Sequence, residues 1–219
     1  MRNENLKMFM VLFSIGLLSV FMLSCGGSSG GGDDDDDQSL TITGESGDDV
    51  NLNGRWSEGC IADDGESERE VLSISGSSFT VTVDTWEPSE DCSGTSEYTQ
   101  TMRGILTKGE ETTASMDGAP VMATEFDVEF IKVQIKINQP NLVTEANTDG
   151  ACGYNDWVLG IAKDIFDTDC WGDPESFKDI LLIDDTVDPD LLYSGDLEGP
   201  VDANDYPTVI DFESPEERL

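Results

Sequence analysis

Five cysteines and 47 acidic residues are what this chain offers for chemistry, and it contains no histidine. Without an imidazole, Ser-His-Asp and Cys-His catalysis are excluded, as are histidine-ligated metals. No phosphate-binding loop or dinucleotide fingerprint occurs. A pair of carboxyl groups hydrolyses glycosidic bonds, but so many Asp and Glu single out no pair. No catalytic residue is nominated, no cofactor is expected, and a non-enzyme is the expectation. Cys60, Cys92, Cys152 and Cys170 form an even set, which in an exported chain reads as two disulfides. Three pairings are possible. Cys60–Cys92 and Cys152–Cys170 are expected because each closes a loop within one half of the domain, stabilising it by roughly 3–4 kcal/mol in the chain-entropy picture. The rival is a four-thiolate zinc site, which the lack of a C-x-x-C knuckle disfavours. Cys25 is left over.

Calcium is the natural cation for so acidic a surface. Asp167, Asp169 and Gly172 sit at the first, third and sixth positions of an EF-hand spacing. Trp171 at the fifth and Lys178 at the twelfth lack the required oxygen ligands, so solvated acidic loops are expected and no metal site is assigned. Asn147 to Gly150 is read as a plain turn.

The fate of Cys25 is set by what precedes it. Arg2 and Lys7 open a basic segment, and Met8 to Leu23 is almost wholly apolar. Those sixteen residues rise about 24 Å as a helix, short of the ~30 Å hydrocarbon core, which favours a cleaved signal over a permanent span. The segment ends Met22-Leu23-Ser24-Cys25, which resembles the lipobox of bacterial lipoproteins, although Met22 stands where that pattern prefers Leu. The resemblance implies cleavage before Cys25 and a diacylglyceryl anchor on it. Gly26 to Gly32 and the run Asp33 to Asp37 then read as a flexible Gly/Ser/Asp tether. The expected layout is a signal peptide over 1–24, a disordered tether over 25–49, a folded domain over 50–212 and a tail over 213–219. The lipid on Cys25 would hold the protein to a membrane of the bacterial cell envelope, expected to be the outer membrane. A net charge of −36 makes nucleic-acid binding untenable.

After the tether, alternation of apolar and polar residues dominates, so an all-β domain is expected. Strands are read at Gly54–Trp56, Val71–Ile74, Phe79–Val83, Tyr98–Thr107 and Ala114–Met116. Further strands are read at Trp157–Ala162, Lys178–Asp184 and Leu191–Ser194, with helical periodicity weak throughout. In the stretch 125–138, Phe126, Val128 and Phe130 share one face, whereas Ile131, Val133, Ile135 and Ile137 have the opposite parity. One buried face survives that switch only if one residue is extra, which predicts a β-bulge at Phe130-Ile131. About eight short strands joined by turns suggest an up-and-down antiparallel barrel.

Gly54-Arg55-Trp56 resembles the G-x-W signature of lipocalins. The fuller pattern of Gly54 to Cys60, Phe79, Cys92, Tyr98 and Arg103-Gly104 is similar to the adenomatosis polyposis coli down-regulated protein family. The resemblance implies a lipocalin-like (calycin-like) barrel in which Trp56 closes the floor beneath an arginine. Arg218 lies beyond the strands read here, so Arg103 is the candidate partner. Trp56, Trp86, Trp157, Trp171, Tyr98 and Tyr154 are candidates for lining a cavity. An eight-stranded barrel is just wide enough for one small ligand or for its own side chains. The expected function is therefore non-catalytic binding of a small apolar ligand or an extracellular partner. The alternatives are a filled-barrel surface lipoprotein and a hydrolase with two acids facing one cleft.

Overall fold

The computed structural model describes residues 39–63, 66–86, 91–172 and 174–219. The segment read as a signal peptide, Cys25 and most of the stretch read as a tether lie outside the described residues. Eight strands close into an antiparallel barrel that follows chain order: β3 (Gly54–Ser57), β5 (Glu66–Ser75), β6 (Ser78–Trp86), β7 (Tyr98–Met116), β8 (Ala119–Ile137), β10 (Ser176–Asp184), β11 (Leu191–Ser194) and β12 (Glu216–Arg218). β8 pairs β10, and β12 returns to β3, so this ring has no edge. The architecture is the up-and-down antiparallel barrel that the alternation predicts, consistent with the lipocalin-like fold that the resemblance implies. Short accessories surround it. β1 (Thr41–Thr43) and β2 (Asp49–Asn51) form a hairpin, β4 (Ile61–Asp63) pairs β5, and β9 (Lys163–Asp164) pairs β8 beyond the reach of β10.

The bulge falls where the parity switch places it. Arg103 pairs Lys132 and Gly104 pairs Phe130, leaving Ile131 unmatched and 55% exposed. Phe126, Val128 and Phe130 on one side of it and Val133, Ile135 and Ile137 on the other are thereby all buried. Both disulfides form as expected, Cys60–Cys92 and Cys152–Cys170, with Cα separations of 5.8 and 5.2 Å.

Five readings need correction. β7 does not stop at Thr107 but runs 19 residues through Ala114–Met116, absorbing Gly109 and Glu110 in a second register shift between Lys108 and Glu111. Residues 157–162 are a loop, because Gly160 adopts φ +72° and its N–H bonds to the Ile137 carbonyl end-on to the sheet. Asn147 to Gly150 ends a real helix, α1 (Pro140–Asp149), which starts with Pro at its first turn and stops at the left-handed Gly150. The folded domain begins before residue 50, since Ile42 and Leu52 of the β1–β2 region are buried in the main core. Residues 216–218 are not a tail: they form the strand that closes the barrel.

The chain between β11 and β12 crosses the outside of the barrel. Tyr206 and Ile210 there cover Ile180, Leu182 and Tyr193 on the outer face of β10 and β11, together with Ala114 and Ala123 of the β7–β8 hairpin. β10 is thus apolar on both faces, one against this small outer core and one toward the barrel axis.

Candidate functional site

Trp56 fixes one part of the interior. It is fully buried, and its Nε1 donates to the Leu52 carbonyl at 3.0 Å. Arg218 lies directly across in β12, with its guanidinium carbon 4.2 Å from the indole centre. The same guanidinium donates to Asp190 at 3.0 Å and to the carbonyls of Asn53 and Asn51 at 3.2 and 2.8 Å. The Trp–Arg pair implied by the resemblance is therefore present, but its arginine is Arg218. Arg103 is exposed, because strand parity turns Met102 and Gly104 inward and Arg103 outward.

Two residues along from this pair, on the same face, the chemistry changes. β3 and β5 match Trp56 with Leu72, and β12 matches Arg218 with Trp56. Continuing those registers with period two sets Glu216 of β12, Glu58 just past the end of β3 and Glu70 of β5 side by side. Asp179 of β10 and Asp211 of the loop before β12 face the same space. That space is a cavity of about 180 Å³ inside the barrel. Its remaining wall is apolar: Leu72, Ile74, Phe79 and Val81 from β5 and β6, Leu106 from β7, and Phe126, Val128 and Phe130 from β8. Phe177, Leu181 and Leu192 complete it, with Ser194, Leu197 and Ser214 toward the loop side, where Ser214 is exposed.

The cavity has a packing cause. Elsewhere in the barrel, Val83, Met102, Val133, Ile135 and Ile137 meet Trp157, Ile165, Ala146 and Ala151 from the segment after β8, forming a continuous apolar core. Asn147 clamps that segment, accepting the Trp157 N–H at 2.6 Å and donating to the Trp157 carbonyl at 3.0 Å. Among the described residues no equivalent plug reaches the half bounded by β10, β11, β12, β3 and β5, where carboxyl groups occupy core-facing positions. Gly104 leaves room for the Phe79 ring: a Cβ there would lie 2.4 Å from it and 2.2 Å from the Glu129 carbonyl oxygen. Phe79 in turn packs edge-on against Phe130 at 5.6 Å.

The carboxyl groups are electrostatically frustrated. Burial pushes Glu70 up to about 7, with Glu58 and Glu68 adding repulsion. Burial likewise raises Glu216 to about 8, helped by Glu70, Glu58 and Asp179, and its Oε2 is buried without a hydrogen-bond partner. Asp179 rises to about 7 through burial, although it accepts the N–H groups of Ile180 at 2.7 Å and Gly195 at 2.9 Å. Glu58 is raised by burial and by Asp211. Among the described residues, no lysine or arginine lines the cavity.

No protein-family model matches this chain, and no curated protein matches it.

The aromatic residues singled out in the sequence do not line the cavity. Trp86 lies beneath Arg69, its ring centre 5.6 Å from the guanidinium, and Trp157 belongs to the filled half. Tyr154 packs on Trp157, and Tyr98 lies at the edge of the same core. Trp171 sits behind Phe130, at 5.4 Å, with its indole N–H buried and unpartnered. Four phenylalanines do the lining instead. Asp167 and Asp169 are exposed in successive turns, and among the described residues no cluster of three His, Cys, Asp or Glu is placed to hold a metal. The acidic lining was findable: carrying the inward parity of Ile74 and Leu72 back to Glu70, of Trp56 forward to Glu58, and of Ile183 and Leu181 back to Asp179 picks out two members of the row and the aspartate that faces it.

Proposed function

We propose that this protein is a non-catalytic binding module, a lipoprotein tethered through Cys25 to the bacterial envelope, whose barrel takes up a small apolar ligand. The carrying observation is the cavity of about 180 Å³ walled by phenylalanine and aliphatic side chains. An apolar cavity of roughly 150 Å³ already binds benzene, so this one suits a single ring or a chain of about six carbons. The hydrophobic leader ending at Cys25, followed by the Gly/Ser tether, supports export and anchoring. 1-Hexanol should raise the melting temperature of the wild type and leave Val81→Trp, which fills the cavity, unmoved. Equal shifts in the two proteins would defeat the binding reading. Loss of fatty-acid labelling in Cys25→Ser tests the anchor separately.

One observation favours a second reading. Glu58, Glu70 and Glu216 meet the requirement of a carboxylate-based hydrolase for acids facing one cleft. The walls, however, offer a sugar ring only two serine hydroxyls beside the acids, so binding is the preferred reading. Turnover of aryl glycosides that disappears in Glu70→Gln would reverse that preference.

A further inference from the structure

We infer that the cavity selects a small apolar amine, bound as its ammonium form against the row Glu216–Glu58–Glu70. The inference rests on the reading of the cavity as a ligand site and adds the chemical class of what it takes.

Charge is the first ground. The titratable groups facing this space are Glu58 next to β3, Glu70 of β5, Asp179 of β10, Asp211 and Glu216 of β12, with Glu68 close enough to act on Glu70. β6, β7, β8 and β11 contribute no charged side chain to the lining. Like charges gathered at low dielectric repel, and a buried carboxylate without a partner is costly. The cation nearest along the strand, Arg218, is engaged by Asp190, by two backbone carbonyls and by the Trp56 ring. Among the described residues, none supplies an internal counter-charge to the row.

The second ground is independent of charge. The buried Oε2 of Glu216 has no hydrogen-bond partner in the protein. Buried polar atoms are almost always paired, and an orphan calls for an explanation. An ammonium group carries N–H donors on a charged centre, and one of them would satisfy this oxygen. The opposite wall of phenylalanine and aliphatic residues then takes the hydrocarbon part. A metal ion would meet the charge but not the apolar wall, and among the described residues no metal-holding cluster exists. A fatty acid would meet the wall but add one more anion to the row.

Entry of an ammonium ion lets the row ionise, so binding releases a proton from a carboxyl group to solvent. Titration calorimetry of the full-length chain with n-hexylamine, 1-hexanol and hexanoate at pH 7, using Val81→Trp as the control for partitioning, tests this. Hexylamine should bind at least tenfold more tightly than hexanol, hexanoate should not bind, and runs in two buffers of different ionisation enthalpy should show net proton release with the amine alone. Glu216→Gln and Glu70→Gln should each lower amine affinity at least fivefold and narrow the preference for amine over hexanol, with circular dichroism spectra that match the wild type showing that the variants are folded. Hexanol binding as tightly as the amine, or hexanoate binding at all, overturns the amine selection and leaves the ligand cavity standing. Failure of all three compounds to bind removes the cavity reading and the inference with it.

Discussion

The two halves of the barrel interior are built from the same strands to opposite ends. In one, the inward positions of β6, β7 and β8 are Val83, Met102, Val133, Ile135 and Ile137, and the segment after β8 delivers Trp157 and Ile165 onto them. In the other, β5, β10, β12 and the residue just past β3 turn glutamate or aspartate inward, no described segment fills the space, and about 180 Å³ stays open. The comparison shows where stability is made and where it is given up. Burying a Trp or Ile side chain contributes about 1.5–3 kcal/mol, whereas an unpaired buried carboxyl must either keep its proton or destabilise the fold. Positions that violate the packing rule in this way mark a site rather than a scaffold.

Breaking the filled half should have the largest effect. Trp157→Ala removes its central buried ring and is expected to cost about 3–5 kcal/mol in denaturant unfolding. The hollow half should instead reveal itself through pH. Glu70, Asp179 and Glu216 hold their protons to higher pH when folded than when unfolded. Their contribution is therefore fully present below the unfolded carboxyl pKa and is lost as pH rises through about 7 to 8. Glu70, moved from 4.5 to about 7, accounts for on the order of 3 kcal/mol of that loss. Unfolding curves at pH 5 and pH 8 should show the decline, and Glu70→Gln should reduce it; a protein whose stability rises over that interval in the same way for both would contradict the account.

Gly104→Ala lies on the boundary between the halves and forces the Phe79 ring and the β8 backbone apart. It should cost about 1–3 kcal/mol and shrink the cavity, weakening hexanol binding. The smallest contrast is between two arginines. Arg218→Ala loses the Trp56 stacking and its bonds to Asp190 and two carbonyls, an expected cost of about 1–2 kcal/mol. Arg103→Ala, on the outer surface, should stay within about 0.5 kcal/mol. Equal melting temperatures for these two variants would show that Arg218 does not pin the last strand to the first.

What the sequence reveals depends on how strictly a segment alternates. Residues 125–138 carry their bulge openly, since a parity change among strongly apolar residues permits no other single buried face. The disulfides are legible from local loop closure. α1 is hidden because Asn, Thr and Val are indifferent helix formers and only Ala146 is fully buried. The run 157–162 imitates a strand, yet Val158, Leu159 and Ile161 are exposed and lack a sheet partner. β12 is Glu-Glu-Arg, a composition with no strand signal, and it is held by pairing on both sides and by Arg218. The acidic row is obscured for a related reason: Glu66, Glu68 and Glu70 look like a solvated face until the parity of Leu72 and Ile74 is carried back through them. Chemistry placed on the inward face of a barrel resembles surface composition in a chain this acidic.

The account depends on carboxyl groups crowded inside a cavity to which the described residues bring no cation. A carbon-13 NMR titration of the glutamate side-chain carboxyl groups, assigned by Glu216→Gln and Glu70→Gln, measures that condition directly. Glu216 should titrate near 8 and Glu70 near 7, both moving to lower pH when hexylamine is added. Ordinary midpoints near 4.5 for both, unchanged by the amine, would contradict it.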